Sequence, residues 1–206
     1  MPGDIVFTKT LNADGSTKTV TVYATMVDEK IDKTLKAFQK PIPKGKWATS
    51  SVTKWRDMKK IKHSFEIRGW LDGTDENTYT QLASNVTASD TTIPVSSTSG
   101  FPSSGYIRIG NEIIAYTGTT STSFTGCSRG QLGTDASAHG SGELVYRYQD
   151  VKGDLKAIVT DGGVATMTYN GETINVNFEK ISIKETASDK DIKYEVMMSV
   201  VEGVDM

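Results

Sequence analysis

A hydroxyl-rich stretch between Leu82 and Tyr148 constrains the fold of this chain more than any other feature of the sequence. It contains IPVSSTSGFPSSGYIRIGNEIIAYTG and then TSFTGCSRGQLGT, in which short apolar runs alternate with Ser, Thr and Gly. Short apolar runs bounded by turn residues are typical of short β-strands. We therefore expect a small inserted β domain, residues 82–148, within a discontinuous host domain formed by residues 1–81 and 149–206.

Length and composition agree with this organisation. The 206 residues suffice for a host of roughly 130 to 140 residues and an insert of roughly 65. The net charge of -2 predicts no global attraction to nucleic acid or to anionic membranes. Cys127 is the only cysteine, so no intrachain disulfide is expected. The opening MPGDIVFTKT lacks an apolar signal region, and we expect synthesis in a cytoplasm without membrane insertion.

The first part of the host shows the two-residue period of β-strands. Apolar residues alternate on both sides of residues 12–17, where Asp14-Gly15 predicts a hairpin turn. A strand is predicted over residues 60–70, ending at Gly69-Trp70. The polar segment 72–81 is predicted to be a turn-rich connection to the insert.

Five short strands are predicted in the insert, over residues 92–95, 106–109, 112–116, 123–125 and 143–146. Gly110-Asn111 between two apolar runs indicates a two-residue hairpin turn. With strands this short, we expect the insert to depend partly on its host for stability. Its predicted core consists of Ile93, Ile107, Ile109, Ile113, Phe124 and Leu144.

The second part of the host begins with one predicted helix. Val151, Leu155 and Ile158 recur at helical spacing, and Asp161-Gly162-Gly163 supplies a left-handed stop. Asn170-Gly171 is the strongest hairpin signal of the chain.

Later strands complete the predicted host. The apolar period slips between Phe178 and Ile181, which predicts a β-bulge. After a turn over residues 186–190, a last strand is predicted for 192–201. The fold class is thus mainly β, a β-sandwich or rolled sheet with one packed helix, plus the inserted β domain.

A lysine-rich segment between Lys30 and Lys62 carries the best candidate contact surface. It contains Pro41 and Pro43, which disfavour a continuous strand, and we expect an extended arm with a short helical turn at residues 32–38. The excess of positive charge fits docking on an acidic neighbour or a phosphate backbone, or a solvated loop. The interface candidates combine tryptophans with cations: Trp47, Trp55, Arg56, Lys59, Lys60, Lys62 and Trp70.

Catalytic motifs are nearly absent from the sequence. His63 and His139 belong to no cluster with metal-ligand spacing, and Cys127 fits a buried hydrophobe better than an activated nucleophile. The acidic turn around Asp72 and Asp75 fits a solvated turn better than a calcium site. We therefore expect no enzyme activity, no cofactor and no metal.

Three tracts resemble the tail-tube type of domain in small tail proteins of long-tailed bacteriophages and archaeal viruses. They are KKIKHSFEIRGWL, DVKGDLKAIVTDGGVATMTYNGETINVNFEKISIKET and YEVMMSVVEGVD. The insert, with SGFPSSGYIRIGNEIIAYTG, resembles a module that recurs in virion proteins. The resemblance implies a structural virion protein of the distal tail, baseplate or tube-to-baseplate ring, which assembles with identical subunits and with other tail or baseplate proteins.

The alternative is a virion surface module that binds host-cell glycan through the 82–148 insert. An exposed cluster of Phe101, Tyr106 and Tyr116 would favour that function. A cell-wall hydrolase is a third class, but that chemistry uses paired carboxylates or a metal cluster, and the sequence has no pattern of either kind.

Overall fold

The computed structural model of the chain describes residues 4–39, 53–188 and 191–203. These residues form thirteen β-strands and one α-helix. The first four strands are β1 (Asp4–Thr10), β2 (Thr17–Gln39), β3 (Thr53–Asp72) and β4 (Thr74–Gln81). Short strands follow: β5 (Thr92–Pro94), β6 (Gly105–Ile109), β7 (Glu112–Tyr116), β8 (Gly118–Thr119), β9 (Ser123–Thr125) and β10 (Leu144–Tyr148). The last elements are α1 (Val151–Thr160), β11 (Ala165–Tyr169), β12 (Glu172–Ser188) and β13 (Asp191–Glu202).

Six strands close into a barrel in the order β1-β11-β12-β13-β3-β2. All neighbouring strands in it are antiparallel. Alternate residues of each strand point inward, so Ile5 and Phe7 of β1 face Val20 and Val22 of β2 in a fully buried core. The mainly β fold with one helix is confirmed, and the rolled sheet closes on itself.

Helix α1 packs against this core. The Asp150 side chain caps its first turn by accepting a hydrogen bond from the Gly153 amide at 2.8 Å. Val151, Leu155 and Ile158 form the buried stripe, as the helical spacing predicts. The helix ends where Gly162 and Gly163 adopt φ of 67° and 69°, a left-handed conformation that suits glycine.

Local turn predictions are confirmed in the host. Asn170 and Gly171 have φ of 50° and 81°, so both turn positions are left-handed, as expected for the tight β11–β12 hairpin. The register between β12 and β13 shifts between Phe178 and Lys180, which is the predicted bulge. In the insert, only Gly110 of the Gly110-Asn111 pair has a positive φ, 56°.

The prediction of an irregular arm with a helical turn is wrong where the structure describes the segment. Strand β2 continues to Gln39, and β3 begins at Thr53 rather than at residue 60. The two strands pair with each other as far as Gln39 and Thr53. This pairing overrides the local helix propensity of the segment. Pro41, Pro43 and Trp47 lie outside the described residues.

Segment 72–81 is also a strand for most of its length, not a turn-rich connection. Its residues 74–81 form β4, which pairs with β10 in the sheet β4-β10-β6-β7. The polar composition reflects exposure of an edge strand rather than a turn. Near the carboxyl terminus, residues 186–188 extend β12, whereas the rest of the predicted turn, residues 189–190, lies outside the described part.

The small module, residues 74–148 with strands β4 to β10, has its own apolar core, separate from that of the barrel. Five of the six predicted core residues are fully buried, namely Ile93, Ile107, Ile109, Ile113 and Phe124. Leu144 is 39% exposed, and Val145 is buried in its place. A shift of one residue exchanges the two faces of a strand, and β10 begins one residue later than predicted.

The chain leaves the barrel and returns to it at adjacent residues. The Gln149 amide donates a hydrogen bond to the Gly73 carbonyl oxygen at 2.8 Å. A Cβ at Gly73 would overlap the Gln149 carbonyl oxygen and lie 2.7 Å from the Tyr148 ring. Glycine therefore permits the close crossing at which the module joins the barrel.

Candidate interaction surfaces

The segment predicted to be the contact arm is a two-stranded ribbon, formed by residues 31–39 of β2 and 53–63 of β3. These residues pair with each other from Ile31↔His63 to Gln39↔Thr53. Strand β13 reaches only as far as Ser64 of β3. At about 3.3 Å per residue, nine paired residues extend the ribbon roughly 30 Å beyond the barrel.

The strands at the base of the ribbon have unpaired edges. Within residues 4–39, 53–188 and 191–203, β2 pairs only with β3 from Ala24 onward. In the same described residues, β12 pairs only with β13 from Asn177 onward. The sheet β2-β3-β13-β12 therefore presents one free strand on each side, and unpaired edges invite pairing with another chain.

Five of the predicted contact residues lie on the ribbon strand β3: Trp55, Arg56, Lys59, Lys60 and Lys62. Lys59 falls where the register shifts between Thr34 and Leu35 of β2. Trp70 lies at the other end of β3, opposite Tyr23, so the structure separates it from the ribbon candidates. Trp47 lies outside the described residues.

Charged side chains at the base of the ribbon form ion pairs between strands of the barrel. His63 Nε2 lies 2.7 Å from Glu29 Oε1 of β2, and His63 Nδ1 lies 3.1 Å from Glu202 Oε2 of β13. Lys62 Nζ lies 2.8 Å from Glu179 Oε1 of β12. Burial alone lowers the pKa of His63, but the two glutamates outweigh it and raise that pKa above its usual value.

A groove of about 1160 Å³ lies where the barrel meets the small module. On the barrel side it is lined by Tyr23 and Trp70, which are cross-strand partners, and by threonines of β2. On the module side it is lined by Asp75 and Asn77 of β4. No sequence pattern predicts this groove, because its two walls come from segments that are distant in the chain.

The groove contains charges of both signs. Lys193 Nζ lies 3.8 Å from Asp72 Oδ2, and Arg147 Nη1 lies 3.9 Å from Asp75 Oδ2. Burial, together with Asp72 and other nearby carboxylates, raises the pKa of the Tyr23 hydroxyl. The groove is thus polar and rich in acceptors, with an aromatic pair on one wall.

A buried ionic cluster fixes the long loop of the module. The Glu112 carboxylate, whose side chain is 0% exposed, accepts two hydrogen bonds from Arg129 at 2.8 and 2.7 Å and lies 2.8 Å from His139 Nε2. The amides of Gly130 and Ser137 also donate to it. The sequence signal for this cluster is a charged residue at the start of the apolar strand EIIAY.

Burial raises the pKa of Glu112, but the hydrogen bonds from Arg129 and His139 outweigh that effect, so the pKa lies below its usual value. Arg129, His139 and the amides of Gly130 and Ser137 all contact this buried carboxylate, so the cluster fits a structural function in the loop. His139 lies in the loop between β9 and β10 and is buried in this cluster.

Cys127 is buried in the module core, and burial raises the pKa of its thiol to about 11. A neutral thiol is a poor nucleophile, so its environment fits the expected small hydrophobe. Among the described residues, no group of three or more His, Cys, Asp or Glu side chains could hold a metal ion.

The aromatic residues of the module do not form an exposed cluster. Tyr116 is 2% exposed and packs on Phe124 at a ring distance of 4.7 Å. Phe101 contacts the same Phe124 ring edge-on at 5.0 Å. Tyr106 is half-buried. The observation that would favour glycan binding by this cluster is therefore not met.

No protein-family model matches this chain, and a search of curated proteins found no match to it. In the part of the chain that the structure describes, no helix is both long enough and apolar enough to cross a membrane.

Proposed function

We propose that the protein is a structural virion component of a phage-type tail, which assembles as a ring of identical subunits in the distal tail, the baseplate or the tube-to-baseplate junction. The observation that carries the proposal is the sheet β2-β3-β13-β12, whose outer strands have free edges and whose ribbon extends beyond the barrel. Two different free edges on one subunit suit a head-to-tail contact, which closes into a ring when the rotation between subunits is right.

Exposed apolar side chains on this sheet support the proposal. Met26 and Met197, which are 38% and 41% exposed, both lie opposite Arg68 on neighbouring strands. Ile31 at the start of the ribbon is 66% exposed. Flexible methionines beside an arginine are typical of protein contact surfaces, and a subunit neighbour would cover them.

The proposal predicts that the ribbon is needed for assembly and not for folding. The triple variant Trp55→Ala, Lys59→Glu, Lys60→Glu removes an aromatic residue and reverses two charges on β3. We expect the parent protein to sediment as a ring and the variant as a folded monomer, because the changes act across the interface. Analytical ultracentrifugation and circular dichroism measure the two properties.

The matched control is Tyr79→Ala with Lys156→Glu, which alters an exposed aromatic residue and an exposed lysine away from the ribbon. It should assemble like the parent. A parent protein that stays monomeric at high concentration contradicts the ring proposal, and a triple variant that still assembles excludes these ribbon residues as the contact.

A further inference from the structure

We propose that the groove between the barrel and the module is a binding site for a neutral oligosaccharide. It is distinct from the free sheet edges and the ribbon, and the proposal does not depend on the tail function. It also differs from glycan binding through the module's own aromatic residues, because the aromatic wall belongs to the barrel.

The first element of the site is a flat apolar wall. Tyr23 and Trp70 are direct cross-strand partners on β2 and β3, and both line the groove. Tyr23 is 45% exposed and Trp70 is half-buried, so the Tyr23 ring is the accessible part of this wall. The faces of aromatic rings carry partial negative charge. They therefore attract the weakly positive C–H groups on one face of a sugar ring.

The second element is a set of mixed donors and acceptors, part of it beside this wall on the barrel and part of it across the groove on β4. Asn77 and Asp75 of β4 and threonine hydroxyls of β2 line the groove. A sugar hydroxyl donates one hydrogen bond and accepts others, so it can use carboxylates, amides and hydroxyls together. Binding pockets take their specificity from a few such polar groups placed beside apolar surface.

The charge of the groove distinguishes among ligand classes. Its two ion pairs each place a cation beside a carboxylate, and Glu76 adds a third carboxylate to the lining. Among the residues that the structure describes, the lining therefore has no positive excess to attract phosphates or acidic sugars. Its volume of about 1160 Å³ exceeds the upper range of small-molecule pockets, about 1000 Å³, which suits a chain of several sugar units.

The test uses the full chain, labelled with ¹⁵N, and four neutral hexasaccharides as probes: cellohexaose, chitohexaose, mannohexaose and maltohexaose. We expect at least one of them to shift the Trp70 indole and β4 amide signals, with a Kd of about 1 mM or tighter. Tyr23→Ala and Asn77→Ala should each weaken binding at least about tenfold while the remaining spectrum is preserved. Both residues are exposed, so their replacement leaves the barrel core intact.

Tyr79→Ala is the matched control, because it removes an exposed tyrosine of β4 that does not line the groove. Its affinity should equal that of the parent. The proposal is overturned if none of the four probes binds at about 10 mM, or if Tyr79→Ala weakens binding as much as Tyr23→Ala. Tighter binding of hexagalacturonic acid than of every neutral probe would also overturn it.

Discussion

The barrel and the small module hold their interiors together in different ways. Among the described residues, the barrel core contains 17 buried apolar side chains, including a stripe of α1, whereas the module core contains 11. The module adds the fully buried Glu112 carboxylate with Arg129 and His139. Long strands that pair along their length satisfy their backbone groups and fill a barrel with side chains. Short strands and long loops leave backbone groups that need polar side chains as hydrogen-bonding partners.

The ionic cluster explains how the module orders a long loop with little regular structure. The loop from residue 126 to 142 has few hydrogen bonds of the kind that pair β-strands. Two of its backbone amides donate hydrogen bonds to the Glu112 carboxylate instead. Arg129 in turn donates to the carbonyl oxygens of Thr87 and Ser137. A buried charge is tolerated when it is paired and fully hydrogen-bonded, and here the same bonds specify the shape of the loop.

Breaking the ionic cluster should have the largest effect. Glu112→Gln leaves the buried Arg129 without its counter-ion, and removing one partner of a buried pair costs about 3 to 5 kcal/mol. We expect loss of dispersed NMR signals from the module while the barrel signals persist. Glu179→Gln is the control, because its partner Lys62 is half-exposed and such pairs contribute at most about 1 kcal/mol. Retention of the module in Glu112→Gln would show that its apolar core suffices.

The matching change in the barrel is Leu155→Ala on α1. Leu155 is 0% exposed in the barrel core, and truncation of a buried leucine costs about 2 to 5 kcal/mol. Chemical denaturation should show a lower free energy of unfolding for the barrel, whereas the module signals should keep their positions. Lys156→Ala, at the next and exposed position, should change little. Equal loss of structure in both regions would mean that they unfold as one unit.

The two regions should respond to pH in opposite directions. The pKa of His63 is raised above 6.5, so its contribution to barrel stability is present below pH 6.5 and is lost as the pH rises through the folded value. The pKa of Glu112 is lowered below 4.5, so its contribution to the module is present above pH 4.5 and is lost as the pH falls through the folded value.

Thermal unfolding followed by NMR at several pH values separates these effects. For His63, we expect a change of no more than about 1 kcal/mol, because its glutamate partners are half-exposed. In His63→Gln, the barrel should no longer lose stability as the pH rises. The module should lose stability at acid pH as it does in the parent protein. An alkaline loss of the same size in His63→Gln would assign it to other groups.

Removal of the whole module should have the smallest effect on the barrel. Gly73 and Gln149 are hydrogen-bonded neighbours, and β4 pairs with the module strand β10, so we propose that the excised segment is 74–148 rather than 82–148. A Gly/Ser linker of two or three residues across this gap should leave a folded barrel, because the insertion ends already meet. Circular dichroism and proton NMR check this. An unfolded product would show that the barrel needs the module.

A second excision, of residues 82–148, tests the position of the boundary. It leaves β4 without its partner β10 and exposes an unpaired strand. We expect this product to aggregate more readily than the 74–148 excision. Equal solubility of the two products would favour the boundary at residue 82.

The sequence alone determined the features that depend on neighbouring residues. The left-handed turn at Asn170-Gly171, the stop of α1 at Gly162-Gly163 and the bulge after Phe178 are all present. Each follows from backbone sterics or side-chain period over a few positions. The mainly β class with one helix follows from the same signals.

Features in which distant segments meet depend on the tertiary fold and not on local sequence. The ribbon exists because residues 31–39 find their hydrogen-bonding partners in 53–63, although the local sequence favours a helical turn. The ionic cluster joins Glu112 to His139, and the groove joins Tyr23 to Asn77. Local propensity amounts to less than about 1 kcal/mol per residue, so pairing and burial between remote segments outweigh it.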